Sequence, residues 1–418
     1  MTRRILACAL VLTSLASQAQ LNQADRAQQI QLNTITTAVP FLMIAPDSRA
    51  GAIGDAGVAL SPDANAVHWN PAKLAFVSDK QFGEKEFEMS LSYSPWLRNL
   101  VSDMNLAYLS GYRSLGDRQT VGASLRFFSL GNITFTDENG TALRDFKPSE
   151  FSLDVAFAQK LTDRFSGGIS ARFVNSNLTG STSIQGAQSK PGRSVAVDVS
   201  AFYTNDDVTL GSTDAIWNWG VNISNIGSKM SYTETADRDF IPTNLRLGTA
   251  LTLLLDDYNE LTFTLDANKL LVPTPPEYNP NDETQIASGK DPDVGVATAM
   301  LQSFSDAPGI VTYDDAGNPS VESGSIFREE MREINLGGGL EYWYDKQFAF
   351  RTGYFYEHFT KGFRQFITLG AGLKYTVFGI DLSYLISTTQ QNPLANTLRF
   401  TLRFEFDKTT MNQRTTAE

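Results

Sequence analysis

The chain has 418 residues, with 34 Lys and Arg against 46 Asp and Glu, a formal net charge of −12 and one cysteine, Cys8. Such an acidic chain has no electrostatic pull on a phosphate backbone, which excludes a nucleic-acid partner. The length would allow two or three soluble domains, yet no low-complexity linker divides it, and past the first twenty residues no apolar run approaches the ~20 residues of a helical membrane span.

In chain order, residues 1–19 read as a signal peptide. Arg3 and Arg4 precede an apolar core over 5–15, and Ser17-Gln18-Ala19 supplies a small-residue cleavage site, so the mature chain begins at Gln20. Its removal takes the net charge to about −14 and deletes Cys8. Cys8 is a poor lipidation site because most of the apolar run follows it. An exported protein of this size without cysteine has no disulfides, so its stability must come from packing or from a closed hydrogen-bonded sheet.

From Phe87 onward the pattern alternates with period two. Phe87, Met89, Leu91 and Tyr93 are separated by Glu88, Ser90 and Ser92, and Leu398, Phe400, Leu402, Phe404 and Phe406 by Arg399, Thr401, Arg403 and Glu405. Lipid on one face and a polar interior on the other select this alternation. About fourteen such segments occur: 87–94, 103–112, 119–128, 150–159, 166–174, 194–203, 216–225, 245–255, 261–268, 334–343, 348–358, 363–375, 379–387 and 397–406. Their apolar register carries no charged residue. The opposite register holds Arg126, Asp154, Arg172, Asp198, Arg246, Asp266, Glu341, Arg351, Glu357, Asp381 and Arg403. A cation facing mid-bilayer lipid costs roughly 2–4 kcal/mol, so this sorting is what a lipid-facing wall demands. The inward charges either line a solute path or form ion-pair ladders that fill the barrel.

Connections support the same reading. Short or moderate turns are expected at 113–118, 160–165, 204–215, 256–260, 344–347 and 376–378, with longer connections at 129–149, 175–193, 226–244 and 269–333 and brief ones near 95–102, 359–362 and 388–396. With the first strand running outward, both termini fall in the periplasm. Aromatic residues at strand ends, including Tyr93, Tyr108, Tyr112, Tyr203, Trp217, Trp219, Trp343, Tyr354 and Tyr375, fit interfacial girdles. The organisation expected is an all-β, fourteen-stranded antiparallel transmembrane barrel over 87–407, preceded by a periplasmic segment and luminal hatch over 20–86. A long extracellular loop at 269–333 and a C-terminal tail at 408–418 complete it.

The segment ahead of the barrel is rich in Gly and Ala from Ser48 to Leu60, including Arg49, Gly51, Gly54 and Gly57, and continues through Trp69-Asn70-Pro71-Ala72. Small side chains let backbone pack closely inside a confined lumen. This combination resembles the N-terminal hatch of FadL-like outer-membrane barrels, which have fourteen strands and a plugged lumen. Three further stretches resemble the PorV (LptO) family of the type IX secretion system of Bacteroidetes: Phe41-Leu42-Met43-Ile44-Ala45-Pro46-Asp47-Ser48-Arg49, Ile241-Pro242-Thr243-Asn244-Leu245-Arg246-Leu247-Gly248, and Asp381-Leu382-Ser383-Tyr384-Leu385 with Asn396-Thr397-Leu398-Arg399-Phe400.

That resemblance implies an outer-membrane protein without catalysis, cofactor or metal. PorV proteins receive cargo from the giant translocon barrel and bind its C-terminal signal domain. They deliver it to a surface attachment complex that includes a sortase, where cargo is often joined to anionic lipopolysaccharide. The hatch residues are then Arg49, Gly51, Gly54, Gly57, Trp69, Asn70 and Pro71. Cargo contact is expected on extracellular loops around Pro273, Pro275, Pro276, Phe240 and Ile241. A FadL-like transporter of hydrophobic small molecules is the alternative, and a lipid A deacylase using His358 beside Glu357 is a third.

The residues themselves offer little chemistry. His68 and His358 are the only histidines, and no Gly-x-Ser-x-Gly, His-Glu-x-x-His or Walker sequence occurs. His358 reads as a polar rim residue. The acids of 269–333, among them Asp282, Glu283, Asp291, Asp293, Asp314 and Asp315, match no calcium-loop spacing and read as a solvated lid. Its Pro273-Thr274-Pro275-Pro276 start favours an extended arm.

Overall fold

The computed structural model describes residues 32–407 apart from 99–100, 102, 137–138, 181–182, 185–186, 234–237, 315–316 and 390–393. The expected signal peptide, residues 20–31 and the tail 408–418 lie outside the described residues.

A sheet immersed in lipid leaves no backbone group unpaired only if it closes on itself. Fourteen strands do so here, each antiparallel to the next and the last paired with the first. They are β1 (Lys85–Pro95), β2 (Asn105–Ser114), β3 (Gln119–Ser129), β4 (Ser149–Lys160), β5 (Phe165–Asn177), β6 (Gly192–Leu210), β7 (Thr213–Gly227), β8 (Asn244–Leu254), β9 (Asn259–Leu270), β10 (Asn335–Tyr344), β11 (Phe348–Tyr356), β12 (Gln365–Tyr375), β13 (Phe378–Ser387) and β14 (Leu398–Asp407). The ring shuts with Met89 opposite Phe404, Leu91 opposite Leu402 and Tyr93 opposite Phe400.

The two registers separate as the alternation requires. Leu125, Leu153, Val155, Ile169, Val197, Leu265, Phe350 and Leu369 are exposed on the outer wall. All eleven charged residues of the opposite register are buried, none more than 6% exposed. Seven of them, Asp154, Arg172, Asp198, Glu341, Arg351, Asp381 and Arg403, form ion-pair ladders, whereas Arg126, Arg246 and Asp266 turn to the segment that fills the lumen. Arg172 pairs with Asp154 and Asp198, Arg351 with Glu341 and Asp381, and Arg403 with Asp381 and Glu405.

Four expectations change. Tyr108 and Tyr112 do not join a girdle, nor does Trp343, which shares the inward register of Glu341 and has the buried Arg351 guanidinium 5.3 Å over its ring. In β2 the small residues Ala107 and Gly111 take the outward register with Leu109, and both tyrosines point inward, 1% and 2% exposed. The turn expected at 204–215 is a paired extension: β6 and β7 continue to Leu210 opposite Thr213, and Gly211 turns the chain at φ +70°. This hairpin leaves the apolar belt, so Asp206 and Asp207 face water and alternation no longer marks it.

The long connection 271–334 is not an extended arm. It folds into two hairpins, Glu277–Asn279 with Asp282–Ser288 and Val311–Tyr313 with Pro319–Val321, and two helices, Val296–Gln302 and Ser325–Arg332. Finally, the chain ahead of β1 does not sit wholly at the short-turn end with Asp407. Asn33 lies at the long-loop end, where its N–H donates to the Thr360 carbonyl at 3.1 Å and its Nδ2 to the Pro275 carbonyl at 3.1 Å. Nothing in a sequence states which way a buried segment threads a closed sheet.

Candidate functional site

The interior belongs to residues 38–78, and its chemistry changes from end to end. At the long-loop end the 3₁₀ turn Pro40–Met43 places Phe41 and Leu42 among Leu106, Phe128, Val174, Met230 and Ile241, a dry cluster in which Phe41 stacks on Phe128. Arg126 caps this turn by donating to the Phe41 and Leu42 carbonyls at 3.0 and 2.8 Å.

In the middle the packing becomes polar. Asp47 caps the short helix α1 (Ser48–Gly51) by accepting from the Ala50 N–H at 2.9 Å, and its other oxygen accepts from Trp69 Nε1 at 2.7 Å. Arg49, on α1, reaches across to Glu341 of β10 with Nη2 at 2.7 Å and Nε at 2.9 Å. Its Nη1 donates to Asp63 at 3.0 Å. Buried guanidinium groups persist only when paired in this way.

Helix α2 (Ala66–Trp69) presents His68 to two arginines, Arg126 at 2.8 Å from Nδ1 and Arg246 at 3.3 Å from Nε2. Guanidinium only donates, and neutral imidazole has one acceptor nitrogen, so the closer Arg126 contact takes it. The Arg246 guanidinium also lies 5.0 Å over the Trp69 ring.

Gly54 packs tightly against the wall. Its φ is +70°, and a Cβ there would collide with the Tyr354 and Gly338 carbonyl oxygens. At the short-turn end Asn70 caps the turn Pro71–Phe76 through Ala72 N–H, and its Nδ2 donates to the Ala201 carbonyl at 3.0 Å. Phe76 packs on Phe202, and Ser78 meets Ser114 at 2.8 Å before the chain enters β1.

The opposite rim is built round two lysines. Lys269 of β9 binds Glu330 at 3.1 Å and Glu333 at 2.5 Å, and Lys361 binds Glu329 at 2.6 Å and Glu333 at 3.0 Å. Asn33 joins this cluster through Glu329 Oε1 at 3.1 Å. Burial pushes the Asp306 carboxyl up to about 6, with Glu330 and Glu333 adding to the shift, against hydrogen bonds from Thr274. Burial, then Arg332 and Lys361, lowers His358 to about 4. His358 Nδ1 lies 2.9 Å from Thr360 Oγ1, whereas the Glu357 carboxylate is taken by Arg364 at 2.7 and 2.8 Å.

The family model described as type IX secretion system protein PorV matches residues 26–277, more than half of the chain. The chain belongs to the PorV family. The matched part of this PorV-family barrel runs through the hatch and β1 to β9 and stops where the long connection begins. No curated protein matches the sequence.

Among solved structures it is similar to the Pseudomonas putida toluene transporter TodX, at 12% identity and TM-score 0.47 over 86% of this chain and 98% of that one. It is also similar to the Ralstonia pickettii toluene transporter TbuX, at 12% and 0.46 over 86% and 98%. A Pseudomonas aeruginosa FadL homologue gives 12% and 0.42 over 90% and 99%.

In this PorV-family barrel, Arg49, Gly51, Gly54, Gly57, Trp69, Asn70 and Pro71 all lie within the lumen. The rim residues separate. Ile241 is 1% exposed in the apolar cluster under the long-loop end, and Pro273 is also buried, so neither meets a partner without unpacking. Pro275, Pro276 and Phe240 remain partly exposed, and Lys229 Nζ lies 4.3 Å over the Phe240 ring. Sequence reasoning missed Lys73, wholly buried with its Nζ donating to the Gly57 carbonyl at 2.7 Å, and it missed the carboxylate cluster that holds Lys269 and Lys361. The lysine carries no pattern, and the cluster joins segments far apart in sequence. Among the described residues no group of His, Cys, Asp and Glu is arranged to hold a metal ion.

Proposed function

We propose that this outer-membrane PorV-family protein is a shuttle of the type IX secretion system. It binds the C-terminal signal domain of cargo leaving the translocon barrel on its long-loop rim and delivers it to the sortase-containing attachment complex at the surface. On this reading the long loops face outward and the short turns face the periplasm.

The observation that carries the reading is the filled lumen. A transporter of hydrophobic small molecules needs an apolar pocket under the outer loops. Here the apolar side chains at that end are packed against Phe41 and Leu42 of the chain itself. A cavity of about 350 Å³ at the short-turn end is lined by Asp79, Lys80, Asp117 and Asp206, a polar wall unsuited to such a solute. The surface left for recognition is the rim around Pro275, Pro276 and Phe240.

Affinity isolation of the tagged barrel from outer membranes, read by mass spectrometry, tests this. Cargo bearing the C-terminal signal domain, together with translocon and sortase subunits, is expected. A deletion strain should leave cargo trapped or released unattached. Normal surface cargo in that strain would refute the shuttle, and lost uptake of an aromatic or fatty acid would favour transport.

A further inference from the structure

β9 carries an anomaly on its outer face. Leu261, Phe263, Leu265 and Ala267 occupy the lipid-facing register, Asp266 points inward to the Gly57 and Val58 N–H groups, and the pairing with β8 continues without a shift to Leu245 opposite Lys269. Lys269 therefore stands on the outer wall of the barrel, one position above Ala267. It is nevertheless only 7% exposed, because Glu330 and Glu333 at the end of the long connection close over it. The folded connection accordingly reaches the outside of the wall at Lys269, while Pro275 and Glu329 also meet Asn33 at the mouth.

The helix Ser325–Arg332 is sorted by this position. Its acids turn inward, Glu330 to Lys269 and Glu329 to Lys361. Its free face carries Phe327, 69% exposed, and Met331, 48% exposed, with Arg332 beside them and Arg328 paired with Glu322 at 3.0 Å. Close by, Phe304 packs against Lys269, with ring centroid and Nζ 5.9 Å apart, while leaving half its own surface open, and three residues before it Leu301 is 78% exposed at the end of the helix Val296–Gln302. Directly below lies the row Leu247, Ala267 and Leu336, paired across β8, β9 and β10, whose leucines are exposed on the lipid-facing belt.

We propose that this helical patch is a membrane-binding site that seats Phe327, Met331, Leu301 and Phe304 in the boundary of the lipid leaflet at the long-loop end, with Arg332 toward lipid phosphate. The apolar belt thereby continues upward without interruption on one side of the barrel, and an amphipathic helix with a basic residue beside its apolar face suits such a boundary. This inference stands on geometry alone and is independent of the shuttle reading.

The mature chain has no cysteine, so single labels are clean. Phe327→Cys, Leu301→Cys, a mid-belt control Leu265→Cys and a hairpin control Asp282→Cys would each carry an environment-sensitive fluorophore in phosphatidylethanolamine–phosphatidylglycerol nanodiscs, with heat-dependent gel mobility confirming the fold. A nitroxide lipid labelled near the headgroup should quench positions 327 and 301 at least about twofold more than position 282, as expected for an interfacial helix. A deep nitroxide should instead favour position 265. Quenching at 327 and 301 no greater than at 282 would overturn the proposal. So would shielding of 327 that arises only when another outer-membrane protein is added, which would make the patch a protein interface.

Discussion

Glu341 holds two guanidinium groups, Arg49 from the hatch and Arg351 from the neighbouring strand, at 2% exposure. Glu341→Ala leaves each buried cation a single carboxylate, Asp63 for Arg49 and Asp381 for Arg351, and a loss of about 3 kcal/mol, the low end for a broken buried pair, is expected in urea unfolding from lipid vesicles. Glu341→Gln should lose less, since its amide oxygen still accepts. That Glu341 faces inward was readable from strand alternation, but its partner was not, because Arg49 lies 292 residues away. Two rim groups give opposite pH dependence. Asp306 rises from 3.8 to about 6 on folding, so the folded state holds the extra proton in that interval and the rim weakens as pH climbs through it. His358 falls from 6.5 to about 4, so the unfolded state holds the extra proton and the rim weakens as pH drops through that window. Hydrogen exchange over 271–334 should show Asp306→Asn firmer at neutral pH and less stable at mildly acid pH than at neutral, the His358 slope being unmasked. His358→Asn should show the reverse slope.

At the scale of elements, legibility followed the solvent. Where a strand has lipid on one side and a packed lumen on the other, every second residue is constrained, and all fourteen strands could be read from Phe87 onward. Where that contrast ends, the reading failed. The β6–β7 extension has water on both faces. The connection 271–334 forms short hairpins and helices that are held by ion pairs to Lys269 and Lys361 rather than by a periodic apolar stripe. In β2 the bulkier aromatics take the inward side because His68, Arg126 and Glu88 wait there for Tyr108 and Tyr112. Among the hatch residues, the glycines and Trp69-Asn70-Pro71 were visible as a small-residue run with a cap, whereas their individual partners on the wall were not. Deleting residues 38–78 should leave a closed barrel that conducts ions in planar bilayers, with the intact chain far less conductive. Equal conductance would mean that the segment does not seal the interior.

Taken as a whole molecule, the barrel derives its placement from the sorting of two registers. Leu369, near the centre of β12, is 47% exposed and faces outward, with Thr368 fully buried beside it. Leu369→Arg should cost roughly 2–4 kcal/mol in vesicle folding assays, the penalty of a mid-bilayer cation. The same residue type is tolerated at Arg351 one strand away because carboxylates meet it there.

The course of residues 33–78, from one mouth to the other through the ring, dictates an order of assembly. A cylinder whose first and last strands have already zipped together offers no slit for admitting a chain sideways, so this thread must lie in place before the seam forms. A stable folded domain fused ahead of residue 32 should therefore still allow refolding into a barrel whose gel mobility shifts on heating, because the sheet closes round a thread already in place; a fraction that migrates alike with and without heating would show instead that the thread enters end-on. The same domain fused after the last residue should let the seam shut.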